Sequence, residues 1–440
     1  MAINDKRSLL SSCARVQVPW IKVTIGDYTF GVFSKNESRG HDSETRTYFT
    51  QYNVQYPNFV QRLEITKLNG QINQYTLALS YPVTQTDDPN FFEKVFSSVS
   101  RTRKIVFSYG DMSMPSFIYK DEEAMITKVS SRFNLQGGVI DYTVNAVSTA
   151  NLAKTGNWTF QGGLKKPSSE IFRILFNRKY GLLDVFTGMT KSNAQYLIAS
   201  DDKEVMLDAK QNISALDYIT YLVSCMLPLG TTTKDNANSD VYVLSIHDDS
   251  TYDEEFADDL VKTGTYFKVE KISHKKNYAD AFEIDIGFGN TGTIVTAFSV
   301  EDNENYSLLY DFSNKLEVDQ YVQRIDNNGQ WINVWAPSIT SKNADFVTRA
   351  SDITWWTKIT KYPIKATITV QGLLRPAMLL SYVRLNVIFP GGHKHISSGL
   401  YIVTQQKDTI DGNGYRTTLS LSKIAGDAYP VIGVMDDKVE

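Results

Sequence analysis

The sequence predicts a mainly β protein in which two antiparallel β regions flank a smaller α/β module. Short alternating runs of apolar and polar residues, separated by turn residues, occupy residues 16–148 and recur from residue 266 onward. Helical patterns and an acidic stretch lie between them. The 440 residues, 42% of them hydrophobic, are too many for one core. We place domain boundaries at residues 1–156, 157–262 and 263–440, with an unassigned insertion around residues 303–360.

The first β region is predicted from strands, one turn and one helix. Residues 75–81 place Tyr75, Leu77, Leu79 and Tyr81 on one face, and Asn69-Gly70 before them suits a hairpin turn because it accepts positive φ angles. Asp88 is a predicted cap for a helix whose apolar stripe, residues 91–96, covers a sheet face or the end of a barrel. This pattern is typical of an antiparallel barrel or sandwich.

The middle module is predicted from two helices and a strand. Residues 161–167 suggest a linker, and a helix follows over residues 169–180. Ser214 begins a capping box at the start of a second helix, and residues 241–246 form a strand. Residues 248–259 then hold seven carboxylates in twelve positions. Such a charge density predicts a solvated loop.

The C-terminal β region has the clearest pattern. Strands are predicted at residues 366–370 and 382–387, with a turn over residues 372–376 between them. The strands 400–404 and 417–421 flank Asp411-Gly412-Asn413-Gly414, a glycine-rich hairpin loop. Tryptophans at positions 331, 335, 355 and 356 indicate packing or a contact surface.

Composition limits the function. There are 45 Lys and Arg residues against 49 Asp and Glu residues, so the net charge of −4 disfavours nucleic-acid binding by counterion release. Two distant cysteines, Cys13 and Cys225, fit a reducing compartment and supply no disulfide framework or thiolate metal site. The N-terminus lacks the pattern of a secretory signal, and no segment approaches the roughly 20 apolar residues of a membrane span.

No motif predicts catalysis or a cofactor. Residues 287–292 match a dinucleotide fingerprint, but the β-branched stretch that follows predicts a strand, so no helix N-terminus faces a pyrophosphate. His393-Lys394-His395 has no third ligand nearby in sequence. Cys225 lies among apolar residues and is predicted to be a buried structural side chain. We expect no catalytic residue, no metal and no cofactor.

The closing strands carry a resemblance to a known family. Gly399-Leu400-Tyr401-Ile402-Val403 and Gly414-Tyr415-Arg416-Thr417-Thr418-Leu419-Ser420-Leu421 resemble the last paired strands of baseplate or tail hub proteins of tailed bacteriophages, relatives of the N-terminal part of type VI secretion spikes. Residues 170–183 and 211–219 are similar to that family's inserted α/β module. A typical hub has a His before the last hairpin loop, where this chain has Gln405-Gln406-Lys407. The family-pattern residues are Gly372, Gly399, Tyr401, Val403, Gly414, Tyr415, Thr417, Leu419 and Leu421.

The resemblance implies two tail-tube-like antiparallel β-barrel domains and a non-enzymatic structural role. Hubs of this family are homotrimers whose two barrels per subunit give six similar units, matching a six-fold tail tube above and a three-fold spike below. The implied partners are the tail tube protein, a spike or tail-tip protein, the tape measure and other baseplate proteins. DNA passes the lumen only in transit. The implied location is the virion, after synthesis in the host cytoplasm.

Two other functions stay open at this stage. The first is a receptor-binding or distal tail protein, an adhesin, in which Trp355 and Trp356 would contact sugars. The second is a peptidoglycan hydrolase, whose paired carboxylates could come from distant strands. Binding assays on tryptophan variants and zymography on cell walls separate these hypotheses from the hub.

Overall fold

The computed structural model shows a mainly β chain, as the sequence predicts. Within the described residues, no helix combines the length and the apolar character that crossing a bilayer demands. The described residues are 19–32, 56–57, 59–85, 88–98, 103–111, 119–154, 158–160, 165–167, 195–198, 204–206, 210–224, 241–248, 266–272, 282–287, 295–302, 321–325, 331–335, 364–371, 379–388, 395 and 397–423.

The N-terminal region contains eight described strands and one helix. They are β1 (Pro19–Ile25), β2 (Tyr28–Val32), β3 (Tyr56–Pro57), β4 (Val60–Leu68), β5 (Gln74–Pro82), α1 (Phe91–Ser98), β6 (Lys104–Asp111), β7 (Tyr119–Asn134) and β8 (Val139–Ser148).

The middle of the chain is built from short strands and one described helix. They are β9 (Trp158–Phe160), β10 (Lys165–Pro167), β11 (Gln195–Ile198), β12 (Glu204–Met206), β13 (Lys210–Ile213), α2 (Ala215–Ser224), β14 (Val241–His247) and β15 (Tyr266–Ile272). β10 pairs with β12, so the last residues of the predicted linker form a strand. β15 joins β14 and β11 in a three-stranded sheet.

The C-terminal region supplies the remaining strands. They are β16 (Phe282–Gly287), β17 (Val295–Asp302), β18 (Tyr321–Ile325), β19 (Trp331–Trp335), β20 (Ile364–Gln371), β21 (Tyr382–Ile388), β22 (Gly399–Asp411) and β23 (Gly414–Lys423). β17 confirms that a strand, and no helix, follows the glycine-rich stretch 287–292. The turn predicted over residues 372–376 lies outside the described residues.

One 14-stranded sheet joins the two β regions. Its main path runs β17-β20-β23-β22-β4-β5-β8-β7-β6-β1-β2-β3, and β16 and β21 branch from β22. The pairing of β22 with β4 is therefore the connection between regions that lie more than 300 residues apart in sequence. Cα atoms of β2 and β4 also approach within 8 Å, which shows that the first region curves back on itself. Closure of each region into a barrel, and the domain boundaries, stay predictions.

Helix α1 covers the core of the first region, as its apolar stripe predicts. The Asn90 amide donates to Asp88 Oδ1 at 3.2 Å, which confirms Asp88 as the helix cap. Phe92 is buried and its ring centre lies 5.4 Å from that of Phe30 and 5.0 Å from that of Tyr142. The helix thus anchors aromatic side chains of β2 and β8 in one cluster.

The second predicted helix is also confirmed. The Asp217 amide donates to Ser214 Oγ at 3.1 Å, so Ser214 caps α2. Leu216, Ile219 and Val223 form its buried face. The helix predicted over residues 169–180 lies outside the described residues.

The hairpin turn predicted at Asn69-Gly70 joins β4 to β5, and its loop has more than these two residues. β4 ends at Leu68 and β5 begins at Gln74, so the loop is longer than two residues. Gly70 has a φ of +65° and the Gln71 amide donates to the Leu68 carbonyl at 3.0 Å, which is the pattern of a type II turn. The Gly70 amide donates instead to the Leu244 carbonyl of β14, at 3.0 Å. The longer loop therefore contacts the middle module.

Candidate functional site

The closing hairpin, β22 and β23, spans both β regions. A bulge between Val403 and Gln405 shifts the inward-facing positions of β22 by one residue. Before the bulge, Tyr401 and Val403 belong to the core of the C-terminal region. After it, β22 pairs with β4 and Ile410 enters the core of the N-terminal region. One strand thus contributes to two cores.

The described residues of the family pattern are buried in this hairpin or shape its ends. Gly399 and Gly414 have φ angles of +146° and +111°, respectively. The Tyr401 hydroxyl donates to the Ser397 carbonyl at 2.6 Å, and burial raises the pKa of Tyr401. Gly372 lies outside the described residues. The others face inward: Val403, Tyr415, Thr417, Leu419 and Leu421.

Buried charges lie where the hairpin meets the N-terminal region. We call this set the polar junction: Lys67, Glu122, Asp248 and Asp408, with their partners Asn73, Tyr75, Tyr109, Ser148, Gln406 and Thr417. The set holds three carboxylates and one lysine, and all four side chains are buried. A buried charge without a partner lowers the stability of the folded chain. The hydrogen bonds of these four side chains therefore decide whether the arrangement is stable.

Lys67 and Glu122 form a buried ion pair. Lys67 Nζ lies 2.5 Å from Glu122 Oε1, and the two side chains are 9% and 0% exposed. The Tyr109 hydroxyl donates to the same carboxylate at 3.1 Å. The pair joins β4 to β7, two strands that are not hydrogen-bonded neighbours in the sheet. The contact therefore crosses the interior of the first region.

Asp408 occupies the part of the junction contributed by β22. Thr417 Oγ1 donates to Asp408 Oδ1 at 2.7 Å, and Gln406 Nε2 donates to Oδ2 at 2.9 Å. Burial raises the pKa of Asp408, and Lys67 with these hydrogen bonds opposes that rise. Gln406 lies opposite Lys67 in the β22–β4 register. Gln406 thus helps to hold an interior carboxylate.

Asp248 corrects the prediction of a solvated acidic loop at its first residue. The side chain is fully buried. Its carboxylate accepts hydrogen bonds from Asn73 Nδ2 at 2.7 Å, from the Tyr75 hydroxyl at 2.9 Å and from Ser148 Oγ. Burial raises the pKa of Tyr75, and the nearby charges of Asp248 and Glu122 raise it further. The other acidic residues of this stretch, 249–259, lie outside the described residues.

The polar junction joins three parts of the chain that are distant in sequence. The Asn69 amide donates to the Thr404 carbonyl at 3.3 Å, beside the β22 bulge, and the Glu123 amide donates to the Asp248 carbonyl at 3.3 Å. The N-terminal region therefore bonds both to the closing hairpin and to the segment after β14. Chemically, the arrangement favours one packing of these segments, because the Lys67–Glu122, Thr417–Asp408 and Tyr75–Asp248 contacts each join two different elements.

The other candidate residues are not brought to this junction. His395 Nδ1 lies 2.6 Å from Ser397 Oγ, in the segment that precedes β22, and His393 lies outside the described residues. Cys13, Cys225, Trp355 and Trp356 also lie outside them. Trp331 and Trp335 lie at the two ends of β19, which pairs with β18. Within the described ranges no group of three or more His, Cys, Asp or Glu residues is arranged to hold a metal ion.

The charges of the polar junction were not predicted from the sequence, although a signal for them exists. In β4, Lys67 continues the inward positions of Leu63 and Ile65. Glu122 precedes the inward Ala124, and Asp408 precedes the inward Ile410. A charged residue at the inward position of an alternating strand is thus the pattern that could have identified all three.

Comparisons with known proteins define the fold. The chain is similar to the 43 kDa tail protein of prophage MuSo2 from Shewanella oneidensis, with a TM-score of 0.51 and 10% identity over 92% of this chain and 98% of that one. It is also similar to a tail protein from Neisseria meningitidis MC58, with a TM-score of 0.48 and 10% identity over 92% and 96%. No protein-family model matches the chain, and no curated protein matches it in sequence.

A third similar structure comes from type VI secretion. It is an Escherichia coli component of that system, described as similar to the T4 bacteriophage tail proteins gp27 and gp5, with a TM-score of 0.42 and 11% identity over 87% and 79%. The MuSo2 match carries the conclusion: this chain has the fold of a phage tail protein. The resemblance predicted from the closing strands is therefore confirmed at the level of the fold.

Proposed function

We propose that the chain is the structural hub of a bacteriophage tail or baseplate. The supporting observation is the fold, which matches a prophage tail protein over 92% of this chain and nearly the whole of the other. The proteins compared above are named as tail proteins or secretion components and not as enzymes, which supports a structural role.

The hub is a trimeric ring that adapts a six-fold tail tube to a three-fold spike or tip. Two β regions per subunit give six units in a trimer, and the continuous sheet fixes the two regions of one subunit in a single arrangement. The ring encloses a channel through which DNA passes. A net charge of −4 suits such a channel because it does not retain phosphates.

The partners follow from this position. The tail tube protein binds on one side of the ring, and the spike or tail-tip protein binds on the other. The tape measure and other baseplate proteins complete the surroundings in the virion. The receptor-binding alternative depends on Trp355 and Trp356, which lie outside the described residues, so no described contact favours it.

The test is the mass of the purified chain by light scattering, combined with class averages from negative-stain images. We expect a species of three times 49.7 kDa and a ring with an open centre. A compact monomer at all concentrations would contradict the hub. If that monomer also binds glycans or host cells, and Trp355→Ala with Trp356→Ala removes the binding, the receptor-binding function replaces it.

A further inference from the structure

The large apolar side chains exposed in the described part of the chain are confined to two places in the sheet. Val129, Phe133 and Leu135 lie on β7 and the turn after it, with exposed fractions of 38%, 60% and 89%. Val300 lies on β17 and is 38% exposed. Exposed apolar side chains gathered on a strand edge are typical of a binding surface.

The outer half of β7 is an edge of the sheet. β6 pairs with β7 only as far as Met125, after which the Ile126 amide donates to the Arg103 carbonyl. Residues 127–134 pair on one side with β8, and no described strand pairs with their other side. Their side chains are exposed on both faces. We call residues 127–134 the basic edge, because Lys128 and Arg132 are its charged residues.

β17 is another edge of the same sheet, because it is the first strand of the sheet's path. It pairs with β20, and no described strand pairs with its other side. Thr296, Ala297, Ser299, Val300 and Glu301 are exposed. We call Val295–Asp302 the acidic edge, because its charged residues are Glu301 and Asp302.

The two edges are complementary in their apolar faces. A bulge between Ile126 and Lys128 turns Val129 to the face of Val144, which belongs to the core of the N-terminal region. On β17, Val300 lies opposite Ala366 and therefore shares the core face of the C-terminal region. Each edge thus extends a core face that no described element covers.

They are also complementary in charge. Arg132 lies opposite Asp141, and Glu301 lies opposite Lys365, so each has an opposite charge within its own chain. Lys128 lies opposite Asn145 and has no acid across its own strand pair. A cation therefore remains on the basic edge to meet an acidic edge.

We propose that the basic edge of one copy of this chain pairs with the acidic edge of the next, which continues the sheet from subunit to subunit. The inference deepens the proposed hub and rests on its ring. Two different edges make a head-to-tail contact, and such a contact closes into a ring when the rotation between copies allows it.

The register follows from the side-chain faces. In an antiparallel pair, the core faces become continuous only if odd-numbered residues of the basic edge lie opposite even-numbered residues of the acidic edge. The register that also pairs the two exposed valines places Val129 opposite Val300. It then places Lys128 opposite Glu301 and Ser130 opposite Ser299. Lys128 and Glu301 thus become a cross-strand ion pair.

Cysteine pairing tests this register. Ser130→Cys and Ser299→Cys are combined in the full chain with Cys13→Ser and Cys225→Ala, and a mild oxidant or a short bismaleimide is added. We expect covalent dimers and trimers from the combined variant, and none from either serine substitution alone. Dimers from Ser130→Cys alone would show symmetric pairing of two basic edges and would overturn the proposal. A bond within one chain would overturn it as well.

Charge reversal tests the same contact with the native cysteines in place. Lys128→Glu alone and Glu301→Lys alone are expected to lower the trimer fraction at least tenfold, and the double reversal to restore it. Lys154→Glu, a reversal at an exposed lysine that belongs to neither edge, is the matched control and is expected to leave the trimer unchanged. A trimer that neither reversal weakens refutes the edge contact and leaves the hub standing, whereas a monomer in every variant refutes both.

Discussion

The polar junction and the two sheet edges distribute polarity in opposite ways. In the junction, Lys67, Glu122, Asp248 and Asp408 are buried, whereas on the edges Phe133 and the other large apolar side chains are exposed. A slip of one residue between β4 and β22 would turn buried charges outward and break their hydrogen bonds, so interior polarity favours one register. Exposed apolar side chains add little to the stability of the monomer but favour the binding of a partner. The comparison predicts large effects on folding at the junction and effects on assembly at the edges.

The largest expected effect comes from breaking the buried ion pair. Glu122→Ala leaves Lys67 buried without the carboxylate at 2.5 Å, and we expect it to lower the free energy of unfolding by about 3–5 kcal/mol. Chemical denaturation of the purified chain measures this. The matched control is Arg62→Ala, which removes an ion pair with Glu64 whose arginine is 51% exposed and is expected to cost less than about 1 kcal/mol.

A double variant sharpens this prediction. Lys67→Met with Glu122→Leu removes both charges and keeps the volume close to native, so we expect it to recover most of the loss. If Glu122→Ala is no more harmful than Arg62→Ala, the buried ion pair does not stabilise the contact between β4 and β7 across the interior of the first region.

The second effect concerns the attachment of the middle module. Asp248→Ala removes the acceptor of Asn73, Tyr75 and Ser148, and we expect a loss of about 2–3 kcal/mol because buried donors lose their partner. Hydrogen exchange is expected to speed up in β14 more than in β23. Asp248→Asn keeps part of the hydrogen bonding and is expected to lie between the alanine variant and the native chain. Equal exchange in all three chains would show that Asp248 does not attach the module.

The third effect depends on pH. Burial raises the pKa of Asp408, so the folded chain binds this proton more tightly than the unfolded chain does. The stabilisation from that proton is complete below the unfolded pKa of an aspartate, about 3.9, and is lost as the pH rises through the higher pKa of the folded state. Asp408→Asn carries no such proton. We therefore expect its stability relative to the native chain to increase with pH, because Lys67 offsets only part of the desolvation of the Asp408 carboxylate.

Thermal unfolding of both chains from pH 4 to pH 8 measures this difference. Lys67 and Tyr415, the ionisable side chains that act on Asp408, are present in both chains, so their own titration largely cancels in the comparison. A gap between the two chains that is constant or shrinks as the pH rises would contradict the raised pKa.

The fold followed from the sequence where local patterns decide structure, and the site did not. Alternation predicted β5, β20 and the closing hairpin because one face of each strand is buried. The pairing of β22 with β4 has no local signal, since the strands lie more than 300 residues apart and their register depends on the bulge before Gln405. Asp248 was assigned to a solvated loop from the average charge of its neighbours, but a single carboxylate is buried when three donors meet it.

The smallest effect on stability, and the sharpest contrast with the junction, is expected at Phe133. Its side chain is 60% exposed on the basic edge, so Phe133→Ser removes little buried area and is expected to change the free energy of unfolding by less than about 0.5 kcal/mol. The same substitution removes apolar area from the proposed contact between copies, and we expect the trimer to dissociate at a higher protein concentration than the native chain. Denaturation and light scattering on the same sample measure both quantities.

Leu135→Ser, in the adjoining turn and outside the paired residues, is the matched control with a weaker effect on assembly. If Phe133→Ser lowers stability as much as Glu122→Ala does, the side chain supports the monomer, and the division between a folding junction and an assembly edge is wrong.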